Sequence, residues 1–73
     1  MVNLQKHYQL SIGAKIRRER ERIGISQEQL GELAKVHRTY VGMVERGEKN
    51  ITIQNLHKFA QALNLRVKDL IDF

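Results

Sequence analysis

The stretch VHRTYVGMVERGEKN, Val36 to Asn50, has the spacing of a short helix whose polar residues stand in unexpected places. Helical periodicity puts Val41, Val44 and Glu45 on one face, so a carboxylate points the same way as two apolar side chains. The first turn, His-Arg-Thr-Tyr, is rich in groups that donate or accept hydrogen bonds. This helix therefore predicts two partners, an internal one for Glu45 and an external one for its opening turn.

A counter-charge for Glu45 stands on the first apolar stripe of the chain. Arg20 lies on that stripe, four residues after Ile16 and three before Ile23. Because an unpaired buried charge is costly, we expect an Arg20–Glu45 ion pair that joins the first helix to the third and sets the angle of the third. The alternative is that both side chains extend to solvent at the edge of the stripe. The other members of the stripe are Leu4, Tyr8 and Ile12.

Apolar residues elsewhere also recur at helical spacing, and no segment alternates with period two for long. The sequence therefore predicts an all-α domain of five helices. Gly24 and Gly47 end the first and third helices, and Ser26 and Thr52 open the second and fourth. The inward-facing residues of the second, fourth and fifth helices are Leu30, Leu33 and Ala34, then Ile53, Leu56, Phe59, Ala60 and Leu63, and finally Val67, Leu70 and Ile71.

The helix starts resemble one another. Ser26 is followed by Gln29 at the third helical position, with apolar residues before the cap and at the fourth position, which predicts a capping box with a hydrophobic staple. Thr52 and His37 begin the fourth and third helices similarly, and each cap should contribute about 0.5–2 kcal/mol. Only residues 35–37 join the second helix to the third, so these two should cross steeply. That geometry lets one helix lie along a duplex while the next enters the major groove.

Composition limits the function. The chain has 73 residues, a formal net charge of +5 and no cysteine. This length is enough for one domain, residues 1–73. The positive charge favours nucleic acid as the partner, ahead of a membrane surface. The lack of cysteine fits a reducing cytoplasm. Nothing resembles a membrane span or a signal peptide. His7, His37 and His57 lack metal-ligand spacing, and the serines have no triad partners in view, so we expect no enzyme activity, metal or cofactor.

The segment SQEQLGELAKVHRTYVGMVERG, residues 26–47, followed by ITIQNLHKFAQALNL, residues 51–65, resembles the helix-turn-helix of the Cro and phage-repressor class, also called XRE-like. The resemblance covers about residues 12–73, with the helix-turn-helix at about 26–46. Within the class, HRTYVGMVERGEKNITI is most similar to the controller proteins of restriction–modification systems. The resemblance implies a five-helix, Cro-like DNA-binding domain with an Arg–Glu pair between the first and third helices.

Four positions depart from the pattern of the class. Gly31 stands where alanine is usual, and Lys35 stands where the turn often has glycine. His37 replaces the common serine or aspartate cap, and Gly42 replaces a frequent serine. Lys35 therefore needs another turn or a strained, left-handed backbone, and Gly42 could remove one backbone or base contact.

By resemblance, phosphate contacts supply affinity and base contacts supply sequence preference. Gln27 should meet phosphate at the first turn of the second helix. Lys49, Asn50 and Thr52 should do the same at the start of the fourth. Arg38 is the candidate for a bidentate contact to guanine, worth roughly 1–3 kcal/mol of discrimination, unless it is merely solvated. The further contacts, to bases, thymine methyls or the sugar–phosphate backbone, are assigned to Thr39, Tyr40 (alternatively part of the core), Met43 and Arg46.

One helix-turn-helix covers too few base pairs for useful specificity, so we expect a homodimer with recognition helices about 34–36 Å apart. The end of the chain, about residues 60–73, carries more apolar surface than a short last helix needs to cover the core. The alternative is that all of this apolar surface packs within a single copy of the chain. The residues assigned to the dimer interface are Leu65, Val67, Leu70, Ile71 and Phe73.

The sequence thus predicts a sequence-specific DNA-binding transcriptional regulator that recognises a palindromic operator. The resemblance implies a controller that times endonuclease expression, with operator DNA, a second copy and RNA polymerase as candidate partners. The alternative within the same class is a phage-type repressor or the antitoxin of a toxin–antitoxin pair, which would also bind DNA but would serve a different biological role. A protein-interaction module without a DNA site is the alternative of another class. The pattern assigns no role to residues 1–9.

Overall fold

The chain folds into five α-helices joined by short turns. The computed structural model describes residues 4–72, and within that part of the chain every regular element is a helix. The bounds are α1 Leu4–Ile23, α2 Gln27–Ala34, α3 Arg38–Glu45, α4 Ile53–Ala62 and α5 Val67–Leu70. The predicted all-α fold of five helices is therefore confirmed.

Side chains close the starts of α2, α3 and α4. Ser26 Oγ accepts from the Gln29 backbone N–H at 3.0 Å, and Gln29 Oε1 accepts from the Ser26 N–H at 2.8 Å, which completes the capping box. At α3, His37 Nδ1 accepts from the N–H two residues further on at 3.0 Å. At α4, Thr52 Oγ1 accepts from the N–H three residues on at 3.2 Å. These bonds satisfy donors that the helices themselves leave open.

The first four helices end in the same left-handed turn. At the second of them, the Lys35 N–H donates to the Glu32 carbonyl at 3.3 Å and the Val36 N–H to the Gly31 carbonyl at 2.9 Å, the two bonds of a Schellman motif. Lys35 has φ 60° and ψ 43°, so it adopts the left-handed backbone rather than another turn. The residues with positive φ at the four ends are Gly24, Lys35, Gly47 and Asn64.

The residue that follows the left-handed position is apolar at three of these ends. Ile25, Val36 and Leu65 follow the turns of α1, α2 and α4, and all three pack against the core. At the end of α3 the corresponding residue is Glu48, which is exposed. The turn after α3 therefore lacks the apolar contact that usually accompanies this motif.

The core is built by all five helices. α3 packs against α1 and α2, and α4 packs against α2 and α5. One face of α3 is therefore buried, while Arg38 and Thr39 at its first turn are exposed. The largest fully buried side chains are Phe59, Ile16, Leu30, Leu63, Leu70, Val41 and Val44.

The backbones of α1 and α3 approach each other closely at Gly13. A Cβ at this position would collide with the Val44 carbonyl oxygen and would lie 2.8 Å from that of Glu45. Only glycine allows such an approach, so α1 runs directly against the end of α3.

Five residues that the pattern places inside are exposed, so these assignments are wrong. Four of them lie at the end of a helix or at the edge of the inward face. Ile23 is the last residue of α1 and Ile53 the first of α4, Ile71, 40% exposed, directly follows α5, and Leu33 lies about 100° around the helix from Ala34. A short helix buries only the stripe that meets a neighbour. The exposed fractions are 46% for Tyr8, 41% for Ile23, 58% for Leu33 and 71% for Ile53. The side chain of Leu4, assigned to the same stripe, lies outside the described part.

Candidate nucleic-acid interface

Three donors from two other helices hold the inward carboxylate of Glu45. Arg20 donates from Nε to Glu45 Oε2 at 2.7 Å and from Nη2 to Oε1 at 3.1 Å. Gln27 Nε2 donates to the same Oε1 at 2.9 Å. Because the Glu45 side chain is 3% exposed and that of Arg20 is 12% exposed, the two groups are paired inside and do not extend to solvent. The structure thus contains the ion pair that the sequence predicts.

Arg20 links three parts of the chain. Besides the two bonds to Glu45, its Nη1 donates to the Ile25 carbonyl in the turn before α2 at 2.9 Å. The hydrogen bonds to Glu45 raise the pKa of Arg20 above its ordinary value, against the opposing effect of burial. Arg20 therefore stays charged near neutral pH. A buried pair of this kind fixes geometry more surely than it adds stability, and here it holds the C-terminal end of α3 to α1 and α2.

The first turn of α3 presents Arg38 to solvent. The side chain is 65% exposed, and its Nη1 lies 3.0 Å from Glu28 Oε2 on α2. An exposed ion pair is weak, so Glu28 orients the guanidinium without preventing it from meeting another partner. Thr39 beside it is exposed as well.

Arg46, just past α3, covers the backbone of Gly42. A Cβ at position 42 would lie 3.0 Å from Arg46 Nη1 and 3.6 Å from Gln27 Oε1, so the side chains of Gln27 and Arg46 flank this glycine. Gly42 thereby makes room for a guanidinium instead of supplying a contact of its own.

Arg46 also forms a bidentate pair with Glu48. Its Nε lies 2.8 Å from Glu48 Oε2 and its Nη2 lies 3.3 Å from Oε1. This hydrogen bonding lowers the pKa of the Glu48 carboxyl below its ordinary value and raises the pKa of Arg46. Both side chains are more than half exposed, so the pair can open when a stronger anion approaches.

Tyr40 belongs in part to the core. Its ring is half-buried and stacks on Phe59, with ring centroids 6.2 Å apart and planes 15° apart. Its hydroxyl accepts from Asn55 Nδ2 at 3.0 Å, which joins α3 to the first turn of α4. The alternative considered for Tyr40 therefore applies, and a nucleic acid could meet only the remaining edge of the ring. Met43 is half-buried too.

The segment between α3 and α4 supplies further exposed polar groups. Lys49, Asn50 and Thr52 are all exposed. The Thr52 hydroxyl accepts the capping bond and retains its proton as a donor. Gln27 donates one of its two amide N–H groups to Glu45, and the backbone N–H groups that the start of α2 leaves open lie beside it.

The partners of both exposed arginines were not indicated by the sequence analysis. Glu48 stands two residues after Arg46, and this spacing is a local signal that could have been used. Glu28 lies ten residues before Arg38 on another helix, and no local pattern connects the two. The hydrogen bond from Asn55 to Tyr40 has no local signal in the sequence either, because it joins residues on two different helices.

The residues assigned to a dimer interface differ in how far they are exposed. Leu70 is 1% exposed and lies in the core, which removes it from the area open to a second copy. Leu65 and Val67 are partly buried against the core, while Ile71 is 40% exposed. Phe73 lies outside the described residues. The apolar end of the chain is therefore divided between the core and solvent.

Two classes of site find no support in residues 4–72. Within them, no three side chains of histidine, cysteine, aspartate or glutamate are grouped so as to hold a metal ion. None of the helices described combines the length and hydropathy needed to cross a bilayer.

Residues 16–70 match the family model described as helix-turn-helix. The chain belongs to this family of DNA-binding transcriptional regulators, and the predicted Cro and phage-repressor class is confirmed. The prediction of a regulator rather than an enzyme is confirmed by the same membership.

Similar proteins include controllers of restriction–modification systems. Control protein C.BamHI of Bacillus amyloliquefaciens is 37% identical over 71 residues, which cover 96% of this chain and 88% of the relative. The controller C.AhdI of Aeromonas hydrophila has a TM-score of 0.83 at 39% identity, covering 85% of this chain and 94% of that one. The P22 c2 repressor, solved in complex with a synthetic operator, has a TM-score of 0.77 at 28% identity, covering 82% and 91%. The predicted resemblance to controllers is therefore confirmed.

Proposed function

We propose that the protein binds a two-fold-symmetric DNA operator as a homodimer and acts as the controller of a restriction–modification system. The observation that carries this proposal is the exposed, donor-rich first turn of α3 on a helix whose other end is clamped through Glu45. The identity to the controllers C.BamHI and C.AhdI, 37% and 39%, exceeds the 28% to the phage repressor P22 c2, which favours a controller over a phage-type repressor.

Arg38 is the proposed base-reading residue. Its guanidinium is planar and offers parallel N–H donors that match O6 and N7 of guanine in the major groove. The Glu28 carboxylate already turns it outward in the protein alone, so less side-chain entropy is lost on binding. Thr39, Tyr40 and Met43 lie on the same helix, and we assign them contacts to thymine methyls or the sugar–phosphate backbone.

The proposed phosphate contacts lie on both sides of the recognition helix. At one end, the first turn of α2 presents Gln27 and backbone N–H groups to an anion. At the other end, Lys49, Asn50 and Thr52 precede or open α4, with Arg46 beside them. Contacts of this type carry no sequence information but fix the register of the protein on the duplex.

Two copies would place two such helices in successive major grooves, about 34–36 Å apart. Ile71 is the most exposed of the described apolar residues assigned to the interface, with Leu65 and Val67 partly accessible beside the core. By resemblance to controllers, the dimer acts in the cytoplasm, activates at low operator occupancy with RNA polymerase as partner, and represses at high occupancy.

Selection of bound duplexes from a random pool, followed by footprinting, tests this function. The expected result is a two-fold-symmetric consensus whose half-sites are one DNA turn apart. Failure to enrich any sequence would favour a protein-interaction module without a DNA site. An asymmetric consensus would refute the dimeric mode of binding while leaving DNA binding intact.

Replacing Arg38 with alanine tests the base contact. We expect operator binding to weaken by about 1–3 kcal/mol, roughly fivefold to 150-fold, with specificity relaxed at one base pair. Fluorescence anisotropy on the selected operator and on single-base variants measures both effects, and circular dichroism checks helicity.

Arg17→Ala is the matched control for Arg38→Ala. Arg17 is 63% exposed and pairs with Glu21 on α1, much as Arg38 is 65% exposed and pairs with Glu28. The control removes the same charge from an equivalent exposed pair and should leave base preference unchanged. If the two variants lost the same affinity with no change in specificity, Arg38 would contribute charge alone.

A further inference from the structure

The turn after α3 is supported differently from the other left-handed turns. Gly47 has φ 74°, its N–H donates to the Val44 carbonyl at 3.0 Å, and the Glu48 N–H donates to the Met43 carbonyl at 2.9 Å. The backbone bonds thus match those at the other helix ends. Exposed Glu48 stands, however, where the other three turns have an apolar residue that packs against the core.

Residues near the start of α1 supply the anchor instead. Lys6 Nζ donates to the Gly47 carbonyl oxygen at 2.6 Å, and Gln9 Nε2 donates to the same oxygen at 3.0 Å. Both bonds are partly buried and join residues about forty positions apart in the chain. One carbonyl therefore receives two donors from a distant helix.

Leu10 lies where a side chain at position 47 would point. A Cβ at position 47 would lie 2.6 Å from Leu10 Cδ2 and 3.1 Å from Leu10 Cα. Position 47 is therefore closed to larger side chains by α1 as well as by its own backbone angle. Together, Lys6, Gln9 and Leu10 hold Gly47 against α1 by two hydrogen bonds and one apolar contact.

The charge of Lys6 extends this support to the neighbouring ion pair. The pKa of Glu48 is lowered first by its hydrogen bond to Arg46 and further by the positive charges of Arg46 and Lys6. The carboxylate that orients Arg46 is thus stabilised from α1 too. Arg46 and Glu48 directly precede and follow Gly47 in the chain. Contacts that fix the backbone of Gly47 therefore also restrict the backbone of these two residues.

We propose that Lys6, Gln9 and Leu10 are positioning residues for DNA binding, which fix the turn of residues 46–50 through Gly47. This turn carries Arg46, Lys49 and Asn50, so the inference rests on the proposed function. A turn held in place before binding loses less conformational entropy when it meets phosphate. All three residues precede the segment 16–70 that matches the family model.

Amide hydrogen exchange on the full chain, without DNA, tests the tether itself. The double variant Lys6→Met, Gln9→Ala should speed exchange of the Gly47 and Glu48 amides roughly tenfold, because two hydrogen bonds that oppose local opening are lost. The equivalent amides of the turns at Gly24 and Lys35 have the same backbone bonds, and the hydrogen bonds described for Lys6 and Gln9 go to Gly47, so exchange at these two turns should not change. Equal exchange of the Gly47 and Glu48 amides in both proteins would overturn the proposal.

Operator binding tests the positioning role. Gln9→Ala changes no charge, and we expect it to weaken binding roughly tenfold while the slope of log K against log salt stays the same. A direct phosphate contact by Lys6 would instead lower that slope by about 0.9 in Lys6→Met. The charge-matched control is Lys58→Met, on the exposed side of α4.

The outcomes separate the two hypotheses. Unaltered operator affinity in Gln9→Ala, or a reduced slope confined to Lys6→Met, would overturn the positioning role. A wild-type chain that selects no duplex would overturn the proposed function, and that result is distinguished from a failed tether because exchange is measured without DNA.

Discussion

Glu45 is the residue on which the placement of α3 depends. It lies on the inward face of α3, and its two oxygens accept three hydrogen bonds from Arg20 on α1 and Gln27 on α2. A valine at this position would fill the space but would leave the guanidinium of Arg20 without its acceptor, at a cost of several kcal/mol. One carboxylate therefore joins α1, α2 and α3.

Replacing Glu45 with glutamine should lower the free energy of unfolding by about 1–3 kcal/mol, because the amide keeps one acceptor but loses its charge beside Arg20. Thermal unfolding followed by circular dichroism measures the effect. Glu21→Gln removes a carboxylate from the exposed pair with Arg17 and should leave the melting temperature nearly unchanged. Equal melting temperatures for the wild type and Glu45→Gln would mean that the buried pair contributes no stability.

Glu48 provides a test of the exposed pair with Arg46. Because its pKa in the folded protein is lowered, its small contribution to stability is present above the pKa of the unfolded chain and is lost as pH falls through the folded value. In Arg46→Gln the pKa of Glu48 should rise towards its ordinary value, as measured by NMR titration of the side-chain carboxyl carbon. The pKa of Glu19, lowered chiefly by Arg22, should stay low, and an unmoved Glu48 would mean that Arg46 is not its main partner.

At the scale of the elements, α3 is defined by how it begins and ends. It has eight residues, Arg38–Glu45, too few for a stable isolated helix. The His37 cap precedes it, the left-handed turn at Gly47 follows it, and the short turn at Lys35 separates it from α2. The length and position of the recognition helix therefore depend on its two flanking turns as much as on its own residues.

Lys35→Gly should stabilise the domain by about 0.5–1 kcal/mol, because a lysine with positive φ is strained and glycine is not. Chemical denaturation gives the difference in free energy of unfolding. Asn64→Gly is the control, since asparagine at φ 58° tolerates the left-handed region better than lysine does, and its gain should be smaller. A loss of stability in Lys35→Gly would show that the lysine side chain makes a compensating contact.

At the scale of the whole molecule, the proposed DNA-binding residues and the proposed dimer interface lie on different helices, α3 and its flanking turns on one hand and the segment around α5 on the other. The excess of basic residues in the chain favours any polyanion, so in the proposed function sequence preference comes from the first turn of α3 and from the spacing between two copies. The C-terminal end contributes Leu70 to the core and leaves Ile71 towards solvent. A second copy at this end would set that spacing.

Ile71→Glu should weaken self-association and, through it, operator binding, because a charge would replace an apolar side chain at the interface. Sedimentation at increasing protein concentration measures the first effect. Leu33→Glu makes the same change at an exposed leucine on α2 and should leave association unchanged. If Ile71→Glu associated as the wild type does, the interface would lie elsewhere on the surface.

Much of the fold was accessible from the sequence by itself, because helix periodicity, caps and left-handed stops depend on residues only a few positions apart. The Arg20–Glu45 pair was accessible too, although its members are 25 positions apart, because two opposite charges on inward helix faces are costly to bury unless they meet. The tertiary structure alone decided how the ends of the helices are covered. It exposed Leu33 and Ile53, placed Tyr40 partly in the core, drew Gln27 to Glu45, and paired Arg38 with Glu28. It also brought Lys6 and Gln9 to Gly47. These contacts join segments far apart in the chain, so they depend on how the helices pack, which local patterns of residues do not encode.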